Sequence, residues 1–115
     1  MIINVEFIKK SKLGLLLDLG HLNIAANIFN FNKYNFLDKV IDLYGDKIYE
    51  VHLSENDGLK DQHGRIFNDS WQLKVLYMFN KTGTTKQPTV FTLESRNLDK
   101  EQIKFDFDLI TRKIF

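Results

Sequence analysis

The chain has 115 residues, which suits one domain over residues 1–115, and its 43% apolar and 27% charged shares are ordinary for a globular protein. Its net charge of +1 gives no global field that would attract nucleic acid, so nucleic acid is not an expected partner. It has no cysteine, which excludes disulfides and leaves imidazole and carboxylate groups as the ligands for any metal.

The amino-terminal third of the chain is predicted to hold one buried strand. Residues 2–12 fit a short helix or a strand. Residues 13–19 form a short, continuous apolar run that meets Gly20, which is typical of a strand covered on both faces. Residues 21–33 are rich in asparagine, and we predict an irregular segment there with one helical turn.

The rest of the chain is predicted to alternate between helices and strands. A helix is predicted over residues 35–44, with Asn35 as its cap and Gly45 at its end. The later elements are a strand at 47–53, a loop at 54–68, a helix capped by Asp69, a strand at 89–94, and a helix that opens at Asp99 and buries Ile103, Phe107, Ile110 and Ile114.

This alternation predicts an α/β fold with about three parallel strands that alternate with helices, because helical crossovers join parallel strands. No apolar run approaches the roughly twenty residues that a membrane helix needs, so we expect a soluble protein without a membrane partner. The lack of cysteine is compatible with the cytoplasmic location that we expect. Three strands leave two apolar edges exposed, which is a liability. Either another chain covers these edges, or the chain is part of a larger barrel.

Metal-binding residue types gather at the carboxyl ends of the three predicted strands, where parallel α/β folds build their active sites. They include every histidine in the chain, and these ligand types suit zinc, iron or manganese. The six candidate metal ligands are Asp18, His21, His52, Asp61, His63 and Glu94.

Each candidate also has an ordinary structural interpretation. Asp18 can cap the turn that follows it, Glu94 can pair with a nearby basic residue, and DQHG can form an Asx turn. A lone strand-end histidine such as His52 is more often a structural residue than a ligand. The metal interpretation is favoured because the alternative requires all three histidines to sit at one end of the sheet by coincidence.

The segments LLLDLGH, VHLSEND, DQHG and TLES resemble those of the xylose-isomerase-like TIM barrels, the superfamily of endonuclease IV and of sugar-phosphate isomerases and epimerases. The longer segments GLLLDLGHLNIAAN, EVHLS, DQHGRIFNDSW and TLESR are most similar to an uncharacterised bacterial family that includes the iron oxidase of methanobactin biosynthesis. The resemblance runs from about Glu6 to Phe115. It implies a partial TIM barrel that holds strands six to eight of eight.

The resemblance implies iron as the cofactor, with two or three ions in the complete barrel, and zinc or manganese as alternatives. Ligands from the earlier strands are missing, and Glu6 does not replace them. The resemblance implies a central metal held in part by Asp18, His52 and Glu94, and a second metal held by His21, Asp61 and His63.

The implied function is a multinuclear non-haem iron oxidase that modifies a peptidyl cysteine, provided that another chain completes the barrel. The implied partners are an amino-terminal barrel half or a second copy, and a small partner protein that presents the peptide. No catalytic residue is assigned. The residues expected to support the ligands or contact substrate are Asn23, Asn27, Ser54 and Arg96.

Three other functions stay open. An endonuclease IV-type phosphodiesterase needs a basic face, but Lys60 and Arg65 share their loop with Glu55, Asp57 and Asp61. A sugar isomerase or epimerase needs a base at a strand end, a role that the residues do not separate from metal binding. A non-catalytic assembly module would use the exposed sheet edges to dock on another chain.

Overall fold

The computed structural model of the protein describes residues 10–82 and 89–114. Most of the element predicted at residues 2–12, together with Glu6, therefore lies outside the described residues. The described elements, in chain order, are β1 (Leu15–Asp18), α1 (Leu19–Phe29), α2 (Lys33–Tyr44), a short 3₁₀ turn (Gly45–Lys47), β2 (Ile48–Leu53), α3 (Trp71–Thr82), β3 (Val90–Leu93) and α4 (Lys100–Ile114).

The three strands form one parallel sheet in the order β1-β2-β3. Its register pairs Asp18 with His52 and His52 with Thr92, so the carboxyl ends of neighbouring strands lie level. The predicted α/β class, with three parallel strands that alternate with helices, is confirmed. The arrangement is consistent with part of an α/β barrel.

The prediction of an irregular segment at residues 21–33 is wrong, because α1 begins directly after β1. The carboxylate of Asp18 caps this helix by accepting from the N–H of His21 at 2.9 Å. The helix ends at Asn30, whose φ of 55° is left-handed. The asparagine at position 27 does not break the helix, since its side-chain amide donates to the distant carbonyl of Gly58.

Two predicted helix caps lie a few residues from the observed ones. Asn32, not Asn35, caps α2, because its side-chain oxygen accepts from the N–H groups of Tyr34 and Asn35. Ser70, not Asp69, provides the side-chain bond at the start of α3, where its hydroxyl oxygen accepts from the N–H of Gln72 at 3.2 Å. The predicted cap at Asp99 is confirmed by its bond from the N–H of Gln102.

The predicted inner face of α4 is wrong at two positions. Ile110 is buried, but Ile103 is 49% exposed and Phe107 is 65% exposed; the side chain of Ile114 lies outside the described part of the chain. The helix instead turns the fully buried Asp106 inward, where its two carboxylate oxygens accept from the guanidinium of Arg65 at 2.8 and 3.1 Å. Because this charged pair is packed inward, the apolar face that carries Ile103 and Phe107 does not point at the core.

The hydrophobic core lies between the sheet and the helices that cover it. It includes Val51 at the centre of β2 and Leu76 on α3, both fully buried. On the two edge strands of the described sheet, Leu16 of β1 is 52% exposed and Val90 of β3 is 58% exposed. Within the described residues, every helix is too short or too polar to cross a bilayer.

Gln72 joins the first turn of α3 to the end of β2. Its buried side-chain amide accepts from the N–H of Ser54 at 3.1 Å and donates to the carbonyl of the same residue at 2.6 Å. It therefore pairs with the main chain as a neighbouring strand would. This contact positions the strand end that carries His52.

We expect Gln72→Ala to lower the free energy of unfolding by about 2–4 kcal/mol, because it leaves two buried main-chain groups of Ser54 without partners. Urea denaturation followed by circular dichroism measures this change. Lys74→Ala, at an exposed position of the same helix, is the matched control and should change the free energy by less than about 0.5 kcal/mol. Equal stability of the two variants would contradict the role given to Gln72.

Candidate metal centre

Three predicted ligands meet at the carboxyl edge of the sheet. Each of Asp18, His52 and Glu94 offers a ligand atom that lies within 4.8 Å of the other two. The Nδ1 atom of His52 is 3.1 Å from Oε1 of Glu94 and 4.0 Å from Oδ2 of Asp18. The parallel register explains the meeting, since Asp18 ends β1, His52 lies opposite it, and Glu94 directly follows β3. We call these three residues the strand-end cluster.

The donor set of the strand-end cluster fits a metal cation. Two ligands about 2.1 Å from one ion and about 90° apart are separated by about 3 Å, close to the spacing of His52 and Glu94. All three side chains are partly buried, and two of them are carboxylates. Because partial burial penalises neighbouring negative charges, a cation would stabilise the cluster. One imidazole and two carboxylates suit iron, manganese or zinc.

Glu50 orients the imidazole of His52. Its Oε1 atom is 2.8 Å from Nε2 of His52 and also accepts from the hydroxyl of Thr92 at 2.9 Å. These two hydrogen bonds, led by that of His52, lower the pKa of Glu50. A carboxylate on the far nitrogen of a histidine is the usual support of a metal ligand, and it turns Nδ1 toward the cluster.

Sequence reasoning missed Glu50. The available signal was its position two residues before His52 on one strand, which places both side chains on the same face. That signal alone does not show that the two side chains bond, because it gives no side-chain rotamers.

The other three predicted ligands meet on the loop that follows β2. The Oδ2 atom of Asp61 lies 3.0 Å from Nε2 of His21 and 3.1 Å from Nε2 of His63. We call these three residues the loop cluster. The Nδ1 atom of His21 is 2.9 Å from Oδ2 of Asp18, so a single imidazole connects the two clusters.

The DQHG segment (residues 61–64) is held by contacts with residues that precede it and with residues that follow β3. Gly64 and Glu55 form an antiparallel bridge, and a Cβ on Gly64 would lie 2.8 Å from the carbonyl of Glu55, so only glycine fits. His63 adopts a left-handed φ of 49°. Its Nδ1 is 3.1 Å from the carbonyl of Glu94, and its own carbonyl accepts from the N–H of Arg96. These contacts hold the imidazole against the end of β3.

The four residues predicted to support the site make different kinds of contact. Asn23 and Asn27 donate their side-chain amides to the loop at 54–68 and hold it to α1. Ser54 is buried under Gln72. Arg96 contributes its main chain to the loop, while its side chain is exposed. A role for these four in substrate binding stays a prediction.

Comparison with known proteins finds similarity to a curated archaeal protein. No family model and no solved structure matches the chain. An uncharacterized protein of Methanocaldococcus jannaschii is 25% identical over an alignment of 115 positions, which covers 96% of this chain and 36% of that protein. The chain therefore spans about a third of the length of the curated relative that it matches.

The charges around His21 favour its protonated form. The hydrogen bond to Asp61 raises the pKa of His21, the charges of Asp18, Asp61 and Glu94 add to this effect, and burial opposes it. Burial by itself would raise the pKa of Asp61, but the bond from His21 and the charges of His63 and His21 lower it overall. The pair is therefore strongest when Asp61 is ionised and His21 is protonated.

We expect His21 in the metal-free protein to titrate above its ordinary value of 6.5, and Asp61→Asn to lower the midpoint. The stabilisation by this pair is lost as the pH rises through the pKa of folded His21. At acidic pH it is lost as the pH falls through the lowered pKa of Asp61. NMR titration of the histidine ring protons measures the midpoint of His21 in the wild type and in Asp61→Asn.

Asp42→Asn, at an exposed position on α2, is the matched control for this titration and should leave the His21 midpoint unchanged. A His21 midpoint at or below the ordinary value, or one that Asp61→Asn does not move, would contradict the assigned contact.

Proposed function

We propose that the chain is the metal-binding carboxyl-terminal part of a cytoplasmic α/β-barrel enzyme, an iron-dependent oxidase that acts on a peptide. The observation that carries the proposal is the strand-end cluster, in which ligand atoms from three neighbouring strand ends lie within 4.8 Å of one another. Carboxyl ends of parallel strands are where barrels place their catalytic groups. The resemblance to iron-oxidase segments supports the substrate class, a peptidyl cysteine.

Iron is favoured by the resemblance to iron-oxidase segments, and one imidazole with two carboxylates, the donor set of the strand-end cluster, also suits it. When bound, iron would supply the redox reactivity that oxidation of a thiol by O₂ requires. The chain's own residues would hold and orient it: Glu50 fixes the ring of His52, and the carbonyl of Glu94 fixes the ring of His63. Zinc or manganese is the alternative in the same sites.

The missing strands are proposed to come from an amino-terminal barrel half or from a second copy of this chain. This part of the proposal is supported by exposed apolar side chains, which are Leu16 and Val90 on the edge strands of the described sheet and Ile103 and Phe107 on α4. A small partner protein that presents the peptide belongs to the same proposal and rests on the resemblance alone.

One contact weighs against a phosphodiesterase. Arg65, one of the two basic residues of the loop, donates two hydrogen bonds to the buried carboxylate of Asp106. Its charge is therefore engaged in packing α4 rather than in a phosphate-binding face. A sugar isomerase differs from the oxidase in metal preference, and a non-catalytic assembly module differs from both in binding no metal.

We expect the protein purified without chelator or nickel resin, and reconstituted anaerobically with Fe(II), to retain at least one iron per chain. His52→Ala should lose this iron, because it removes the central ligand of the strand-end cluster. Asp42→Asn is the matched control and should retain it. Elemental mass spectrometry after gel filtration measures the bound metal.

Preferential retention of zinc or manganese would favour the hydrolase or isomerase over the oxidase. A folded wild-type protein that retains no metal would contradict the proposal. Activity would be supported if the wild type consumes O₂ while a peptide thiol is lost and His52→Ala does neither.

Glu50→Gln is expected to weaken iron binding by about 10–100-fold, because a neutral amide supports the ring of His52 less well than a carboxylate. Anaerobic titration with Fe(II), followed by calorimetry, measures the affinity. Glu101→Gln makes the same chemical change at an exposed position of α4 and should bind as tightly as wild type. Equal affinities of the two variants would contradict the orienting role of Glu50.

A further inference from the structure

A polar recess of about 380 Å³ lies beside α1, next to the loop that carries the loop cluster. It is bounded by α1, by the connection at residues 30–32 and by the first turn of α2. Four asparagines line it together with Phe31, Lys33 and Tyr34. Neither the strand-end cluster nor the loop cluster includes any of these residues.

Lys33 is the charged group of this recess. Its Nζ atom donates to Oδ1 of Asn23 at 2.8 Å and lies 3.9 Å from the ring centroid of Trp71. The ion pairs of the described residues do not include Lys33. An ammonium group has three N–H donors, and an aromatic face stabilises its charge without using them. Lys33 therefore has donors left for a ligand.

The surroundings of Lys33 keep its charge partly desolvated. Burial lowers the pKa of Lys33, and the charge of Glu55 opposes this shift. Glu55 is itself buried and accepts a short hydrogen bond from the hydroxyl of Ser70, so its carboxylate does not line the recess. A desolvated cation without a paired carboxylate attracts an external anion more strongly than a fully hydrated one does.

A chain of hydrogen bonds connects this recess to the metal end of the sheet. Asn23 accepts from Lys33 and donates its side-chain amide to Oδ1 of Asn56 at 2.8 Å. Asn56 in turn donates to the carbonyl of Gly20 at 2.9 Å. Gly20 immediately precedes His21 of the loop cluster, so the lysine and the clusters are held in one fixed framework.

We propose that the recess binds a carboxylate of the peptide substrate, with Lys33 as the residue that pairs with it. The site would select peptides that carry an acidic side chain or a free carboxyl terminus. The side-chain amides of the lining asparagines provide additional donors around the carboxylate. The assignment of a peptide rests on the proposed function, whereas the binding of a carboxylate rests on the recess alone.

Trp71 is the single tryptophan of the chain, and its ring centroid lies 3.9 Å from Nζ of Lys33, so we expect its fluorescence to respond to a carboxylate that pairs with Lys33. We expect a blocked tripeptide with a central glutamate, titrated into metal-free protein, to change this fluorescence in a saturable way. The same peptide with glutamine should cause no saturable change. A tripeptide with a free carboxyl terminus shows which source of carboxylate binds more tightly.

Lys33→Met is expected to weaken carboxylate binding at least 10-fold, measured by calorimetry because this change alters the fluorescence itself. Lys33→Arg should restore part of the affinity, and circular dichroism checks that both variants fold. Lys60→Met, at an exposed lysine of the loop, is the matched control and should bind as wild type does.

Equal binding of the glutamine peptide, unchanged binding by Lys33→Met, or tighter binding of inorganic phosphate than of any carboxylate would overturn the proposal. So would the absence of saturation with every peptide. Because these titrations use metal-free protein, their failure leaves the metal proposal standing. If the protein fails to retain metal, the result of the carboxylate titrations likewise stands.

Discussion

The parallel register of three strands is the constraint on which the rest of the structure depends. It sets Asp18 opposite His52 and carries Glu94 to the same edge, although these residues are far apart in sequence. Concentrating two carboxylates at a partly buried edge costs free energy unless positive charge or hydrogen-bond donors compensate. The neighbouring histidines supply some of that compensation, and a metal cation would supply the rest.

The chain around the clusters is arranged to hold these side chains still. Glu50 bonds Nε2 of His52 and so fixes the orientation of its ring. The bridge between Glu55 and Gly64 fixes the loop, in which His63 has a left-handed backbone. Left-handed backbone at a non-glycine residue is costly, and it persists where surrounding contacts determine it. Such preorganisation is what metal sites require of the side chains that support their ligands.

Much of the fold and the site could be predicted from local sequence. Apolar runs predicted all three strands. Of the six predicted ligands, Asp18, His52 and Glu94 meet at the strand ends, and His21 and His63 meet at Asp61, while their role as metal ligands stays a prediction. The segment at residues 21–33 was missed because asparagine usually disfavours helices, whereas here Asn27 bonds a distant loop. The inner face of α4 was mispredicted because the Arg65–Asp106 pair, 41 residues apart, overrides its apolar stripe. The contacts of Glu50 and Lys33 depend on rotamers and on tertiary packing, which periodicity does not encode.

The most direct test of the account is to locate a bound ion. Crystals grown anaerobically with Fe(II) would be measured on both sides of the iron absorption edge. We expect an anomalous peak about 2.0–2.3 Å from ligand atoms of Asp18, His52 and Glu94, with the carboxylate of Glu50 still bonded to Nε2 of His52. If the strand-end cluster is ordered but shows no such peak, while iron binds elsewhere on the chain, the cluster is not the iron site and the proposed function is contradicted.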